Sequence, residues 1–200
     1  MNLNWMKRQL PLPPAPALLV ALAVVYALTG LGHDPWKSGD AIGTGIVSQM
    51  LRQEQWWIPT LAGEPFFEDG PLYYWVAAAL AWISSPILEL HDGARLASGA
   101  MMLTAMLLIR CAATEIYGRA EGDGTALALL GSLGLLVHSH ENLSELGMIA
   151  AHALSLFAMV LARRRHLLAG VLLGLGWTGA LLSKGSGAAW VCNFSSSVVQ

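Results

Sequence analysis

Six apolar runs, several of them of membrane length, dominate this chain: Ala15–Gly32, Leu72–Leu88, Ala94–Ala113, Thr125–Val137, Gly147–Ala162 and Leu167–Ser183. A soluble fold of 200 residues has no place for so much continuous apolar sequence. With 55% hydrophobic and only 12% charged residues, the chain reads as an integral membrane protein. The formal net charge of −2 supplies neither a basic face for nucleic acid nor an acidic tail. Cys111 and Cys192 lie in apolar sequence and read as buried free thiols, with no disulfide framework and no zinc spacing.

Lys7 and Arg8 precede the first run, which resembles a signal sequence. Gly30-Leu31-Gly32-His33 is a poor cleavage site, so the run is expected to stay as a first span with its basic end in the cytoplasm. Pro11-Leu12-Pro13-Pro14 leads into it, as proline is tolerated at helix starts.

Charge decides how many of the other runs cross. Six crossings place Arg163–Arg165, Arg110, Arg119, Lys37 and Arg52 outside, against the usual cytoplasmic excess of bases. If Leu72–Leu88 lies in the interface instead, Lys7, Arg8, Arg110, Arg119 and Arg163–Arg165 fall inside, and only Lys37, Arg52, Arg95 and Lys184 fall outside. That run is short, carries Tyr73, Tyr74, Trp75 and Trp82, and is interrupted by Ser84-Ser85-Pro86. The expectation is an all-α, polytopic membrane helix bundle with spans at about 15–32, 94–113, 124–138, 147–162 and 167–183. Its first outer loop, 33–93, is long and carries amphipathic interfacial helices.

Only the five-span arrangement puts Asp40, Glu68, Asp69, His138, His140, Glu141, Glu145 and Lys184 on one face. Carboxylates at a membrane boundary are costly to desolvate and usually have a role. Asp40 to Glu54 reads as a helix with Ile42, Ile46, Val47, Met50 and Leu51 on one stripe, suited to lying on the membrane surface. The plain structural reading of Asp40 is a helix N-cap. Trp56-Trp57 reads as an interfacial anchor. His138, His140, Glu141 and Glu145, four potential ligands within eight residues, could bind zinc or manganese or could simply be a solvated loop. His152 reads as a hydrogen-bonded interior histidine. Lys184 reads either as a ligand contact or as a lysine snorkelling at a span end. Gly122-Asp123-Gly124 reads as a turn between spans, and Gly170, Gly174 and Gly176 as small residues for close helix packing. No strand precedes these glycines to make a dinucleotide loop.

In order along the chain stand Asp40, Trp57-Ile58-Pro59, Gly63-Glu64-Pro65, Glu68, Pro71-Leu72-Tyr73-Tyr74-Trp75, Ala94-Arg95-Leu96-Ala97-Ser98 and Leu182-Ser183-Lys184-Gly185. This order and spacing resembles the GT-C membrane glycosyltransferases, in the branch with the bacterial lipid A aminoarabinose transferase and the protein O-mannosyltransferases. The resemblance covers about Asp40 to Gly185, with the first span fitting ahead of it. It implies an inverting transfer of a sugar from a polyprenyl-phosphate donor to a lipid, protein or glycan acceptor. The implied location is the bacterial cytoplasmic (inner) membrane, with the active face extracytoplasmic and membrane lipid as a partner. Asp40 matches the family's acid and would take the acceptor proton, with Glu68 as a second catalytic acid. Arg95 and Lys184 match basic positions that would face the phosphate, and Tyr74 belongs to the substrate-binding set. Arg52 joins that set on spacing alone. Some members bind a divalent metal near the acid matching Glu68. The implied cofactor is therefore Zn, Mn or Mg, with Glu68, His138, His140, Glu141 and Glu145 as candidate ligands.

The chain departs from the family pattern in three places. Ala41, not a second acid, follows Asp40; Asp69-Gly70-Pro71 stands where many relatives have Lys-Pro-Pro; and Glu145 falls at about the place of an Asp in the second outer loop. Family members are usually much longer, so this chain reads as an N-terminal part with the remainder missing. The rival readings are a small polytopic transporter and a non-catalytic membrane assembly protein. A transporter would place its charges at mid-membrane, whereas Asp40, Glu68 and Glu145 stand at span ends.

Overall fold

The structure, a computed structural model, describes residues 24, 30–35, 37–132 and 141–184. It is mostly helical. In chain order come α1 (Ser38–Gln53), a hairpin of β1 (Thr60–Leu61) and β2 (Glu64–Pro65), α2 (Leu72–Ser84), α3 (Leu90–Tyr117), α4 (Arg119–Leu130), α5 (Glu145–Leu161) and α6 (His166–Lys184). Among the described residues the hairpin is the one departure from the helical fold expected, an antiparallel pair with Thr60 opposite Pro65 and Leu61 opposite Glu64. Its turn holds Ala62 and Gly63 at φ 54° and 90°, and glycine meets that requirement without steric cost.

Two helices among the described residues, α3 and α6, are long and apolar enough to cross a membrane. The third helix, α3, has 28 residues and so rises roughly 42 Å. Asp92 and Arg95 lie in its first turns. Near its far end Glu115 accepts from Arg164 (Nε to Oε1, 2.7 Å). About 35 Å of helix thus separates the Arg163–Arg165 cluster from the Asp40 end. Arg110, paired with Asp123 at 2.6 Å, also belongs to the far half.

The second helix, α2, has 13 residues and rises about 20 Å, too little for a hydrocarbon core of about 30 Å. It runs antiparallel to the start of α3. Tyr73 at its head meets Ser98, while its tail abuts Gly93, where a Cβ would stand 2.8 Å from the Ala81 Cα. His33 and Arg95 are in contact, so the two ends of the segment 33–93 lie together.

The apolar stripe of α1 is buried by protein, not by lipid. Ile46, Val47 and Met50 are buried and pack with Tyr73, Tyr74, Ala77 and Ala78 of α2 and Ala94 and Ala97 of α3. The stripe's periodicity reported a covered face, and the tertiary fold chose the cover. Gly122-Asp123-Gly124 is helical within α4, and the break falls at Gly118 (φ 113°). Gly176 packs closely on Ser155 and Ala151, but Gly170 and Gly174 face open space. They stand on an exposed face of α6 that also carries Leu167, Val171 and Leu175, a row that water would penalise. Cys111 is exposed on α3, contrary to the buried thiol expected, and Cys192 lies outside the described residues. Trp57 and Phe67 are exposed beside the hairpin, with Trp57 edge-on to Trp75 at 6.3 Å.

Candidate active site

Asp40 lies in the first turn of α1, whose N-cap is Lys37. Its side chain does not cap the helix, so the plain N-cap reading is corrected. Instead Oδ1 accepts from the Asn142 backbone N–H at 2.9 Å and from Asn142 Nδ2 at 3.1 Å. Oδ2 accepts from Arg95 Nη2 at 2.7 Å. Arg95 Nη1 also donates to Asp92 Oδ1 (3.1 Å) and to the carbonyls of His33 (2.6 Å) and Gly30 (3.4 Å). Asp92 in turn accepts from the Gly32 N–H through both oxygens, at 3.0 and 3.1 Å. Asp40 is 0% exposed and Arg95 2%. Charges buried this deeply persist only when paired and hydrogen-bonded, and both are.

Asn142 joins this cluster to the second loop. Its Nδ2 also donates to Thr44 Oγ1 at 2.9 Å. Its Oδ1 faces the Tyr73 hydroxyl at 3.3 Å. Ser98 gives its proton to the Glu141 carbonyl at 2.6 Å, so Tyr73, 2.7 Å from Ser98 Oγ, acts as the donor of that pair. Burial pushes the Tyr73 phenol well above its ordinary pKa, which keeps it a donor. Gly43 makes the close approach possible, since a Cβ there would stand 2.1 Å from the Asn142 carbonyl oxygen.

A second cluster lies at the end of α6. Lys184 Nζ donates to Asp69 Oδ1 (2.6 Å) and pairs with Glu145 Oε1 (2.8 Å). Tyr74 OH donates to Asp69 Oδ2 at 2.7 Å. Burial first, and then the Asp69 charge, raise the Tyr74 phenol. The adjacent rings of Tyr73 and Tyr74 meet edge-on at 5.6 Å, so the start of α2 serves both clusters.

This arrangement of helices recurs in solved proteins. ArnT from Cupriavidus metallidurans, a lipid A aminoarabinose transferase, matches in its apo state with a TM-score of 0.74 and 22% identity, over 86% of this chain and 33% of that one. ArnT bound to undecaprenyl phosphate matches with a TM-score of 0.76 and 21% identity, over the same shares. The chain has part of a GT-C fold. It spans about a third of the length of the GT-C structures it matches. No family model matches the sequence, and no curated protein matches it.

Within this partial GT-C fold the residues singled out from sequence separate into groups. Asp40 and Arg95 are brought together. Tyr74 and Lys184 are brought together through Asp69. Arg52 is exposed at the last turn of α1, and Glu68 is exposed beside Asp69. Of the candidate metal set, Glu141 pairs with Lys37, Glu145 pairs with Lys184, and His138 and His140 lie outside the described residues. Among the described residues no group of three or more His, Cys, Asp or Glu is placed to hold a metal ion. The described carboxylates of that set stand apart: Glu141 and Glu145 hold different cations, and Glu68 is exposed.

Asn142 is the site residue that sequence reasoning missed. The sequence matches Glu145 to the second-loop acid, yet Asn142 is the residue that meets Asp40, and Glu145 pairs with Lys184. An uncharged amide gives no charge signal. Its only sequence mark is a place between two acids in a short polar stretch. His152 donates through Nδ1 to the Met148 carbonyl at 2.8 Å, as expected of an interior histidine.

Proposed function

We propose that this chain carries the first catalytic loop of an integral membrane glycosyltransferase of the GT-C type. The enzyme would pass a sugar from a polyprenyl-phosphate donor to an acceptor hydroxyl at the extracytoplasmic face of the bacterial inner membrane, with inversion. One observation carries the reading. A buried carboxylate, Asp40, is held by donors from α3 and from the second loop, in a fold shared with a transferase solved with undecaprenyl phosphate bound.

The chemistry follows from the residues. The acceptor oxygen attacks the anomeric carbon, and its proton passes to Asp40. The bond from that carbon to the phosphate oxygen breaks, and its electron pair leaves with the polyprenyl phosphate. An ionised carboxylate offers about four lone-pair positions. Asn142 uses two on Oδ1 and Arg95 uses one on Oδ2, which leaves one on Oδ2 for the acceptor proton. Asp40 is enclosed here, so the acceptor gains access only as its neighbours part. Such tightening and loosening between states is common in catalytic sites. Lys184, at the exposed edge of the second cluster, is the cation that meets the phosphate. Glu68 is exposed and its catalytic part stays a proposal on sequence alone.

A second reading is favoured by the completeness of the Asp40 network. Three donors and no exposure also describe a structural strut in a non-catalytic membrane protein. Asp40→Asn separates the two. Transfer of radiolabelled sugar from a polyprenyl-phosphate donor should fall about 100-fold or more, with membrane level unchanged. Undiminished transfer by the variant removes Asp40 as base. Absence of transfer by the unaltered chain, with only stability changed in the variant, leaves the strut.

A further inference from the structure

We propose that Asp69, assisted by Glu145, is a built-in competitor for the donor phosphate: it occupies the Lys184 ammonium and gives way when a phosphate ester docks. This rests on the reading of Lys184 as a phosphate contact and adds what sets the affinity there.

Lys184 Nζ is held by two carboxylates, at 2.6 Å from Asp69 and 2.8 Å from Glu145. Two anions against one cation leave the cluster negative, so an arriving phosphate is held weakly until a carboxylate moves away. An ammonium has three donors, and the carboxylates use two. The Lys184 side chain is 29% exposed, so the third is reachable from solvent. A phosphate oxygen can engage that donor before any internal contact is lost.

The exchange needs only side-chain rotation. The Asp69 backbone is held beside α6 without help from the ion pair. The N–H of the next residue, Gly70, donates to the Ser183 carbonyl at 2.9 Å. A Cβ at Gly70 would stand 2.0 Å from the Leu182 carbonyl oxygen, so only glycine allows that approach. Tyr74 OH, a standing donor to Asp69 Oδ2, selects the rotamer that faces Lys184. The internal carboxylate therefore remains nearby after displacement and can reoccupy the ammonium when the phosphate leaves. This differs from a lysine in the same place, which would only attract.

The test is binding of undecaprenyl phosphate to the full 200-residue chain in neutral phosphatidylcholine nanodiscs, with inorganic phosphate titrated as a second arm. Asp69→Asn keeps the size of the side chain and the Tyr74 contact but removes the charge. It should tighten binding about tenfold. Glu145→Gln, at a more exposed position, should tighten it about threefold and serves if Asp69→Asn does not fold. Tightening confined to the lipid assigns the subsite to the membrane-borne ester, and equal tightening toward inorganic phosphate assigns it to phosphate itself; either supports displacement. Unchanged or weaker binding in both variants overturns it. Lys184→Ala keeps the two failures apart: if it leaves the binding of the unaltered chain unchanged, the phosphate role of Lys184 fails first.

Discussion

Arg95→Met is the perturbation that most directly tests how this end of the bundle is held. The arginine side chain is 1% exposed and bridges Asp40, at 0%, and Asp92, at 10%. Methionine keeps much of the length and apolar stem but leaves both carboxylates without that cation. Removing one partner of a buried pair costs about 3–5 kcal/mol. Two carboxylates lose their partner here, and the carbonyls of Gly30 and His33 lose a donor at about 1 kcal/mol each, which puts the loss at the upper end of that range. Asp40→Asn added to Arg95→Met removes one stranded charge, so the double variant should regain about 2 kcal/mol over Arg95→Met. The assay is unfolding by sodium dodecyl sulfate in mixed micelles, followed by circular dichroism and tryptophan fluorescence, on the two singles and the double. If Arg95→Met loses less than about 1 kcal/mol, or if the double variant is as unstable as the sum of the singles, the buried-pair argument is wrong.

Other outcomes follow from the same contacts. Gly43→Ala should destabilise by about 1–3 kcal/mol in the same unfolding assay, because its Cβ meets the Asn142 carbonyl oxygen at 2.1 Å. It should also lower transfer by displacing Asn142 from Asp40. The raised phenols of Tyr73 and Tyr74 have a defined sign. Their neutral form is favoured in the folded state, so stability is whole below the ordinary value of 10.0 and falls as the pH climbs above it. Loss of that alkaline fall in Tyr73→Phe/Tyr74→Phe, measured by thermal unfolding between pH 9 and about 11, would confirm the assignment. In a chain cleared of Cys111 and Cys192, a cysteine at 145 should react with an impermeant maleimide added outside the cell, and one at 164 should not. The opposite pattern would reverse the sidedness.

The membrane-length apolar runs and the distribution of arginines were legible in the sequence because both are one-dimensional. Hydropathy over 20 residues needs no partner to be read, and α3, α5 and α6 emerged close to the expected places. The short α2 was legible as a helix for the same reason, since Leu72–Ser84 falls within the apolar run Leu72–Leu88. Tertiary structure decided what covers each face and which polar groups meet. The stripe of α1 has the same period whether lipid or protein lies beneath it, and only the packing of Tyr73, Tyr74 and Ala97 settles that it is protein. Asp40 and Asn142 are 102 residues apart, and their contact depends on a close approach through Gly43 that no local pattern announces. In the sequence Lys184 reads as a phosphate contact or a snorkelling lysine and gives no sign of a carboxylate partner, because the fold alone brings Asp69, 115 residues away, within 2.6 Å. Periodicity and charge are local properties and can be read along the chain, whereas the pairing of buried polar groups is set by three-dimensional proximity.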